Sequence, residues 1–184
     1  MRLDQALVAR GLAPSRARAQ DVIRLGQVSV GGSIVSKPST KVDDETELSV
    51  SAEAHDYVSR AALKLVGGLD AFGVDPSDLI CLDLGASTGG FTDVLLRRGA
   101  KHVFAVDVGT DQFHPSLRDD RRVSSLEGTH AKHLSRDLIP RPIDLVVCDV
   151  SFISIVKALP PALALTGPAG QLVTLVKPQF ELGP

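Results

Sequence analysis

The chain has no tryptophan, one tyrosine and six phenylalanines in 184 residues, so aromatic side chains make up only 4% of it. Stacking of nucleobases on aromatic rings therefore cannot be a dominant binding mode. Cysteine is equally scarce. Cys81 and Cys148 each stand inside an apolar, strand-like run, and their spacing matches no zinc pattern. The expectation is two buried thiols in a reducing cytoplasm and no metal site. Long uncharged apolar runs are missing too. Pro160, Pro161 and Pro168 interrupt the longest candidate for a membrane span, and Asp4 and Arg10 break any apolar core of a signal peptide, so no membrane partner is expected. Nor is positive charge in excess: the formal net charge of −2 argues against a globally basic nucleic-acid binder. What is present is 43% hydrophobic residues, enough for a real core without signs of disorder, in a length that suits one ordinary domain plus a small one.

The near-neutral total hides an asymmetry. Residues 1–41 carry Arg2, Arg10, Arg16, Arg18, Arg24, Lys37 and Lys41 against only Asp4 and Asp21, whereas 42–50 adds Asp43, Asp44, Glu45 and Glu47. One face of the first segment is a candidate basic patch. Leu3, Ala6, Leu7 and Leu12 recur at helical spacing with Gly11 as a stop. Pro14-Ser15 opens a second helix, in which Arg16, Arg18 and Arg24 alternate with apolar residues up to Gly26. Strand-like pieces follow at 27–30, 34–35 and 47–50, with Gly31-Gly32 as a turn. Taken alone, such a basic helix is as readily a solvated face as a binding one. However, R-L-D at 2–4, S-R-A-R-A-Q at 15–20, Ile23, Gly26, Val28, Val30 and K-P-S at 37–39 resemble the S4 RNA-binding domain over nearly all of residues 1–50. The resemblance implies a small α+β module whose second helix sets Arg16, Arg18 and Arg24 against RNA phosphates, with Arg2 and Lys37 beside them. Guanidinium forks suit phosphate oxygens, and affinity of this kind is largely electrostatic.

The most informative run lies at 79–91. Apolar residues deliver Asp83, then a turn of Gly85, Ala86, Ser87, Thr88, Gly89 and Gly90, then Phe91 at a helix start. Gly85 permits a tight turn, Gly89 and Gly90 remove side chains where a ligand would pass, and the helix offers free N–H groups. Ser87 or Thr88 is expected to cap that helix, with Phe91, Val94 and Leu95 on one face and Gly99 beyond its end. The spacing is not the G-x-G-x-x-G of a dinucleotide site. Instead D-x-G-x-x-x-G-G resembles motif I of S-adenosylmethionine-dependent methyltransferases. A second strand-like run, 101–108, brings Asp107, 24 residues beyond Asp83. A lone acid after a strand is unremarkable. One that follows a βα unit with this turn is placed to hydrogen-bond the ribose diol of an adenosine ligand.

Residues 51–54 are small and polar and open a linker over 51–58, leaving 59–184 as a second domain. It begins with a helical pattern at 59–72, with Ala62, Leu65, Val66, Leu69 and Phe72 on one face and Lys64 off it. Further strands are expected at 123–126, 143–149 and 171–177. A βαβαβ alternation implies an α/β, Rossmann-like fold with a parallel sheet and right-handed crossovers. Ligands of such sheets bind beyond the carboxyl ends of the strands, where Asp83, Asp107, Asp149 and Lys177 all stand. One charged residue that ends a strand means little, and Lys64 by itself is a surface lysine. Four charged residues on one edge make a candidate site.

The motifs Tyr57-Val58-Ser59-Arg60 leading to Lys64-Leu65, D-L-G-A-S-T-G-G-F at 83–91, C-D-V-S-F at 148–152 and K-P-Q-F-E at 177–181 complete a pattern. It resembles the TlyA-type (haemolysin A) ribosomal RNA methyltransferases, relatives of the FtsJ-type 2′-O-methyltransferases, and with the S4 match it spans almost the whole chain. The resemblance implies methylation of a ribose 2′-hydroxyl, at cytidine, in ribosomal RNA or ribosomal subunits. It also implies S-adenosyl-L-methionine held by Asp83, Gly85, Ala86, Ser87, Thr88, Gly89, Gly90, Phe91, Asp107 and Asp149. A K-D-K-E tetrad acts on the hydroxyl in FtsJ-type enzymes, and its first three members fall on Lys64, Asp149 and Lys177. Methyl transfer from a sulfonium is an in-line displacement, so the nucleophile must be positioned and relieved of its proton. Lys177 must be neutral to act as base, which burial and Lys64 favour and Asp149 opposes; a charged Lys177 would instead stabilise the developing alkoxide. Both roles stay open.

Two departures from the family pattern stand out. After the acid of the second strand, where the family usually has an aromatic and a glycine, this chain reads G-T-D-Q-F-H-P at 109–115. The family also continues past the fifth strand with a strand pair, a helix and the tetrad's glutamate, a role not given to Glu181 here. The expectation is a methyltransferase domain truncated at its C-terminus, with an uncovered sheet edge near 171–176 through which chains self-associate. Two other readings compete. One is a non-catalytic RNA-binding remnant, favoured by the short C-terminus. The other is a membrane-active haemolysin, disfavoured because no long amphipathic basic helix is present.

Overall fold

The computed structural model describes residues 1–51 and 57–182. It divides into two units, Met1–Asp56 and Tyr57–Pro184. Residues 52–56 of the expected linker lie outside the described residues.

In the first unit, α1 (Leu3–Ala9) and α2 (Arg16–Arg24) precede β1 (Val28–Val30), β2 (Ser33–Ile34) and β3 (Leu48–Val50), which pair antiparallel in the order β2-β1-β3. Ser15 caps α2 by accepting a hydrogen bond from the Arg18 N–H at 3.2 Å. Leu3, Ala6 and Leu7 of α1 meet Ala19, Val22 and Ile23 of α2 and Val28 of β1 in one buried cluster. Leu12 does not join them. The chain turns at Gly11 with φ of 70°, past the end of α1, and Leu12 is exposed. A fully buried carboxylate ties the two helices together. Asp4 accepts from Arg2 Nε at 2.9 Å, Arg16 Nε at 3.0 Å and Gln20 Nε2 at 2.8 Å. Arg10 reaches the other way, donating to the backbone carbonyls of Asp43, Asp44 and Thr46 and so binding the acidic loop to the end of α1.

The second unit opens with α3 (Ala62–Phe72), which buries Ala62, Leu65 and Leu69. Phe72, expected on that face, is 75% exposed. The helix ends in a left-handed Gly73, the Val74 N–H returns to the Leu69 carbonyl, and Val74 takes the place against the core. Then come β4 (Ile80–Leu84), α4 (Gly90–Arg97), β5 (His102–Val106), a four-residue α5 (Pro115–Arg118), β6 (Val123–Leu126), β7 (Ile143–Cys148), α6 (Ile155–Leu163), β8 (Thr166–Thr174) and α7 (Pro178–Glu181). The strands run parallel in the order β6-β5-β4-β7-β8. Two expectations need correction. The β6–β7 crossover carries only a 3₁₀ turn, Ala131–His133, so helices do not alternate with strands throughout. And β8 runs from Thr166 to Thr174, ending where Thr174 pairs with Cys148, the last residue of β7, so Lys177 lies on the loop beyond it.

Strand alternation divides the core in two. Cys81, Val103, Ala105, Leu145 and Val147 face α3 and α4; Leu82, Leu84, Phe104, Val106, Val146 and Cys148 face α6 and the 3₁₀ turn. Both thiols are free and buried, and burial pushes Cys81 up to about 12, which makes it inert. Among the described residues, no helix is long and apolar enough to cross a membrane, and no group of side chains could hold a metal ion.

Asp4 should prove the most sensitive polar position of the first unit. Asp4→Asn is expected to cost about 2–3 kcal/mol, less than the loss of one partner from a wholly buried pair because Arg2 and Arg16 are 42% and 56% exposed and regain water. Hydrogen exchange of the α1 and α2 amides checks it, with protection falling roughly thirtyfold or more. The Arg2 hydrogen bond, above all, holds the Asp4 carboxyl well below the usual carboxylate range. Its folded value is depressed, so the contribution is complete above the ordinary carboxylate range and fades only as pH falls below it.

Candidate active site

The loop after β4 is built around contacts with other parts of the chain. Gly85 has φ of 86°, and a Cβ there would lie 3.1 Å from the backbone of Asp149 and Val150. Gly89, at φ of 96°, leaves room for the side chains of Leu117 and Phe113, which a Cβ would meet at 2.4 and 2.9 Å. At Gly90 the obstacle would be Ser59. Gly89 and Gly90 thus make room for protein, where the sequence suggested room for a ligand. Neither Ser87 nor Thr88 caps α4: Gly89 is the N-cap, with no side-chain bond, and Ser87 takes a left-handed φ of 48°.

Asp107 explains that conformation. Its Oδ2 accepts from the Ser87 N–H and its Oδ1 from the Gly109 N–H, both at 2.7 Å, so one carboxylate joins the loops after β4 and β5. Each oxygen keeps a further acceptor direction. Glu127 secures the second loop by accepting from the N–H groups of Gln112 and Phe113 while pairing with Arg118 at 2.6 Å.

Two cavities open at this edge, and Gly85 and Ser151 line both. The first is walled by Leu84, Val106, Val108, Ala131, Val150 and Ile153, with Asp107, Thr129 and His130 as polar neighbours. The second, about 220 Å³, is lined by Ser59, Lys64, residues 85–88, Gly90, Phe91, Asp149, Ser151 and Lys177. Here Asp149 stands between two ammonium groups. Lys64 Nζ, from the first turn of α3, is 3.3 Å from Oδ2, and Lys177 Nζ is 2.5 Å from Oδ1. The second pair is close but off the hydrogen-bond direction. Lys177 donates to Ser151 Oγ at 2.8 Å and to the Asp149 carbonyl at 3.4 Å.

The fold therefore brings Lys64, Asp149, Lys177, Gly85, Ala86, Ser87, Thr88, Gly90, Phe91 and Asp107 to these cavities, but neither Gly89 nor Asp83. Asp83 is wholly buried in β4 and lines neither cavity. Its Oδ2 accepts from Thr92 Oγ1 at 2.7 Å, and its Oδ1 has no hydrogen-bond partner among the described residues. Burial pushes the carboxyl up to about 7, with the nearby charges of Asp107 and Asp149 adding and the Thr92 hydrogen bonds opposing. The sequence reading passed over Ser151, Thr129 and His130. Their place just past β7 and β6, on the ligand edge of the sheet, was the signal for them. Ser59 carried none.

In the first unit, Arg16 and Arg24 share a helix face with Gln20, whereas Arg18, two positions on from Arg16, points to another side. Arg24 donates to Gln20 Oε1 at 3.3 Å, and Lys37 is exposed.

The FtsJ-like methyltransferase family model matches residues 57–184, and the S4 domain model matches residues 1–48. The 16S/23S rRNA (cytidine-2′-O)-methyltransferase TlyA of Mycobacterium tuberculosis (strain ATCC 25618 / H37Rv) is 49% identical over 183 residues, which are 99% of this chain and 68% of that relative. Hemolysin A of Brachyspira hyodysenteriae is 44% identical over 98% of this chain and 75% of its own length. A solved structure of a candidate hemolysin from Streptococcus thermophilus superposes with a TM-score of 0.73 at 42% identity, covering all of this chain and 68% of that one.

The raised Asp83 carboxyl has a consequence for stability. Between the ordinary carboxylate range near pH 4 and pH 7, the folded chain keeps a proton that the unfolded chain has released, so stability falls as pH rises through that window. The full loss is on the order of 4 kcal/mol by linkage. Thermal melts followed by circular dichroism should show the parent less stable at pH 8 than at pH 5, and Asp83→Asn should flatten that slope. Parallel pH profiles for the two proteins would remove Asp83 as the cause.

Proposed function

Because this chain belongs to the FtsJ-like methyltransferase family, we propose that it methylates a ribose 2′-hydroxyl of ribosomal RNA, at cytidine, using S-adenosylmethionine. The observation that carries this reading is the Lys64–Asp149–Lys177 cluster, which opens into the same cavity as the loop 85–91. The residues present suit the cofactor. The apolar cavity accepts a flat base, the remaining acceptor directions of Asp107 suit ribose hydroxyls, and the backbone of 85–88 with Ser59 and Thr88 offers polar partners to an amino-acid end.

When bound, S-adenosylmethionine supplies the methyl of a sulfonium to an in-line displacement. The chain's own part is positional and electrostatic. Asp149 stands between the two ammonium groups, one at each carboxylate oxygen, and with all three ionised the cluster carries one net positive charge. That charge lies where negative charge develops on the attacking oxygen. Lys177, tethered to Ser151, is the group placed to hold or take the hydroxyl proton. In the first unit, Arg2, Arg16, Arg18, Arg24 and Lys37 are assigned to RNA phosphates, with Arg2 and Arg16 already oriented by Asp4. The two free, buried thiols fit a reducing cytoplasm. Strand β8, which has β7 on one side and no strand on the other among the described residues, is the edge assigned to self-association, and light scattering would show it.

Calorimetry with S-adenosylmethionine separates the enzyme from a non-catalytic RNA-binding protein. Binding is expected, weakened by roughly 1–3 kcal/mol in Asp107→Ala, the scale of a hydrogen bond to a charged group. Lys177→Met should abolish transfer of a tritiated methyl to ribosomal subunits while leaving the cofactor's Kd within about twofold. Unchanged turnover in that variant would exclude Lys177 from the chemistry.

Charge reversal of Arg18 and Arg24 should remove ribosomal RNA affinity without affecting the cofactor; Arg16 is left in place because Asp4 depends on it. The parent's affinity should fall steeply with salt, by about one unit of slope more than that of a single-arginine variant. A salt-independent affinity would contradict phosphate contacts.

A further inference from the structure

The segment K-P-Q-F-E contains an acid that the proposed chemistry does not use. Glu181 closes α7, four residues past Lys177, and its carboxylate is directed to α6. Its Oε2 accepts from Ser154 Oγ at 2.6 Å and its Oε1 from the Ile155 N–H at 2.9 Å. Ser154 is the N-cap of α6, its hydroxyl also accepting from the Val156 N–H at 3.1 Å. These bonds favour the charged form and draw the Glu181 carboxyl below its ordinary range. A second contact lies alongside, with the Phe180 and Phe152 rings 5.3 Å apart.

Both contacts join the loops that carry the cluster. The loop after β7 bears Asp149 and Ser151, and the loop after β8 bears Lys177. The Leu175 N–H still reaches the Cys148 carbonyl at 2.9 Å; past that bond, the described contacts between the two loops run through side chains. A lysine has four rotatable side-chain bonds, so an ammonium held against Ser151 and Asp149 requires a backbone that is itself held. Pro178, with its fixed φ, and the single turn of α7 make the link from Lys177 to Glu181 short and stiff.

We propose that Glu181 is the positioning residue of Lys177: by pinning the end of α7 to Ser154 and Ile155, it sets the Lys177 amine against Ser151 and Asp149. The consequence for turnover rests on the methyltransferase reading; the placement of the amine does not.

The test uses the 184-residue chain with Glu181→Ala, Glu181→Gln and Ser154→Ala, each checked for folding by circular dichroism. Lysines are acetylated with a limiting dose of an N-hydroxysuccinimide ester and quantified one by one by peptide mass spectrometry. In the parent, Lys177 reacts slowly. In Glu181→Ala its rate relative to Lys64 is expected to rise at least threefold, and Glu181→Gln, which retains an acceptor, should return it close to the parent. General loosening of the unit would raise both lysines and leave the ratio unchanged. Ser154→Ala removes one of the two bonds, should raise the ratio about twofold, and carries the test if the alanine variant does not fold. On ribosomal subunits, kcat of Glu181→Ala should drop at least tenfold with KM and cofactor Kd within twofold, and the glutamine should recover most of it. A parent-like labelling ratio in Glu181→Ala, or in Ser154→Ala where only that variant folds, would overturn the proposal. An inactive parent would count against methyl transfer alone, because the labelling ratio still decides the role of Glu181.

Discussion

At the carboxyl edge of the sheet, the backbone after β4 passes within contact distance of the backbone after β7. Gly85 makes this approach possible: an added Cβ would lie 3.1 Å from the carbonyl carbon and oxygen of Asp149 and from the nitrogen of Val150. The Asp149 N–H bonds the Leu84 carbonyl at 3.1 Å, and the Gly85 and Ala86 N–H groups share the Val106 carbonyl. Three loops are thereby drawn to one point. Both cavities have Gly85 in their walls, and Asp149, held on the far side of the contact, places Lys64 and Lys177. A side chain at 85 would force the two strand ends apart, and the ion cluster with them.

The acidic residues account for an apparent contradiction between a net charge of −2 and an RNA partner. Many of them are turned to internal work. Asp4 gathers Arg2, Arg16 and Gln20, Asp43 accepts from the Thr46 N–H, Asp107 and Glu127 hold backbone N–H groups of the ligand-edge loops, and Glu181 caps α6. These hydrogen bonds fix where each negative charge stands without cancelling it, so the field at any one face depends on how acids and bases are distributed over the surface. The sum over a chain is therefore a poor guide to what one face presents.

The nearby carboxylates of the second unit also divide by environment. Asp83, wholly buried and with one oxygen lacking a partner among the described residues, is pushed towards neutrality, whereas Asp107 receives two backbone N–H donors and Asp149 two ammonium neighbours. Three aspartates that end or follow three apolar strands look alike in the sequence. Only their partners separate a buried structural acid from one that shapes a loop and one that organises a cluster.

Local pattern was enough for much of the architecture. The period of apolar residues defined α1, α2, α3 and the five parallel strands, Ser15 announced the start of α2, and the rule that ligands sit beyond strand ends drew Asp83, Asp107, Asp149 and Lys177 to one edge, although Asp83 is buried within β4 and lines neither cavity. The remainder was decided by contacts between residues far apart in the chain. Phe72 lost its place in the core to Val74 because the chain reverses at Gly73. Gly89 and Gly90 answer to Phe113, Leu117 and Ser59, and β8 stops at Thr174 because its partner β7 ends at Cys148. The partners of Asp4 stand 12 and 16 residues away and those of Glu181 26 and 27. Spacing along a sequence encodes which face a residue takes within its own element. Which donor meets which acceptor depends on how separate elements pack, and that is settled only when the whole unit closes.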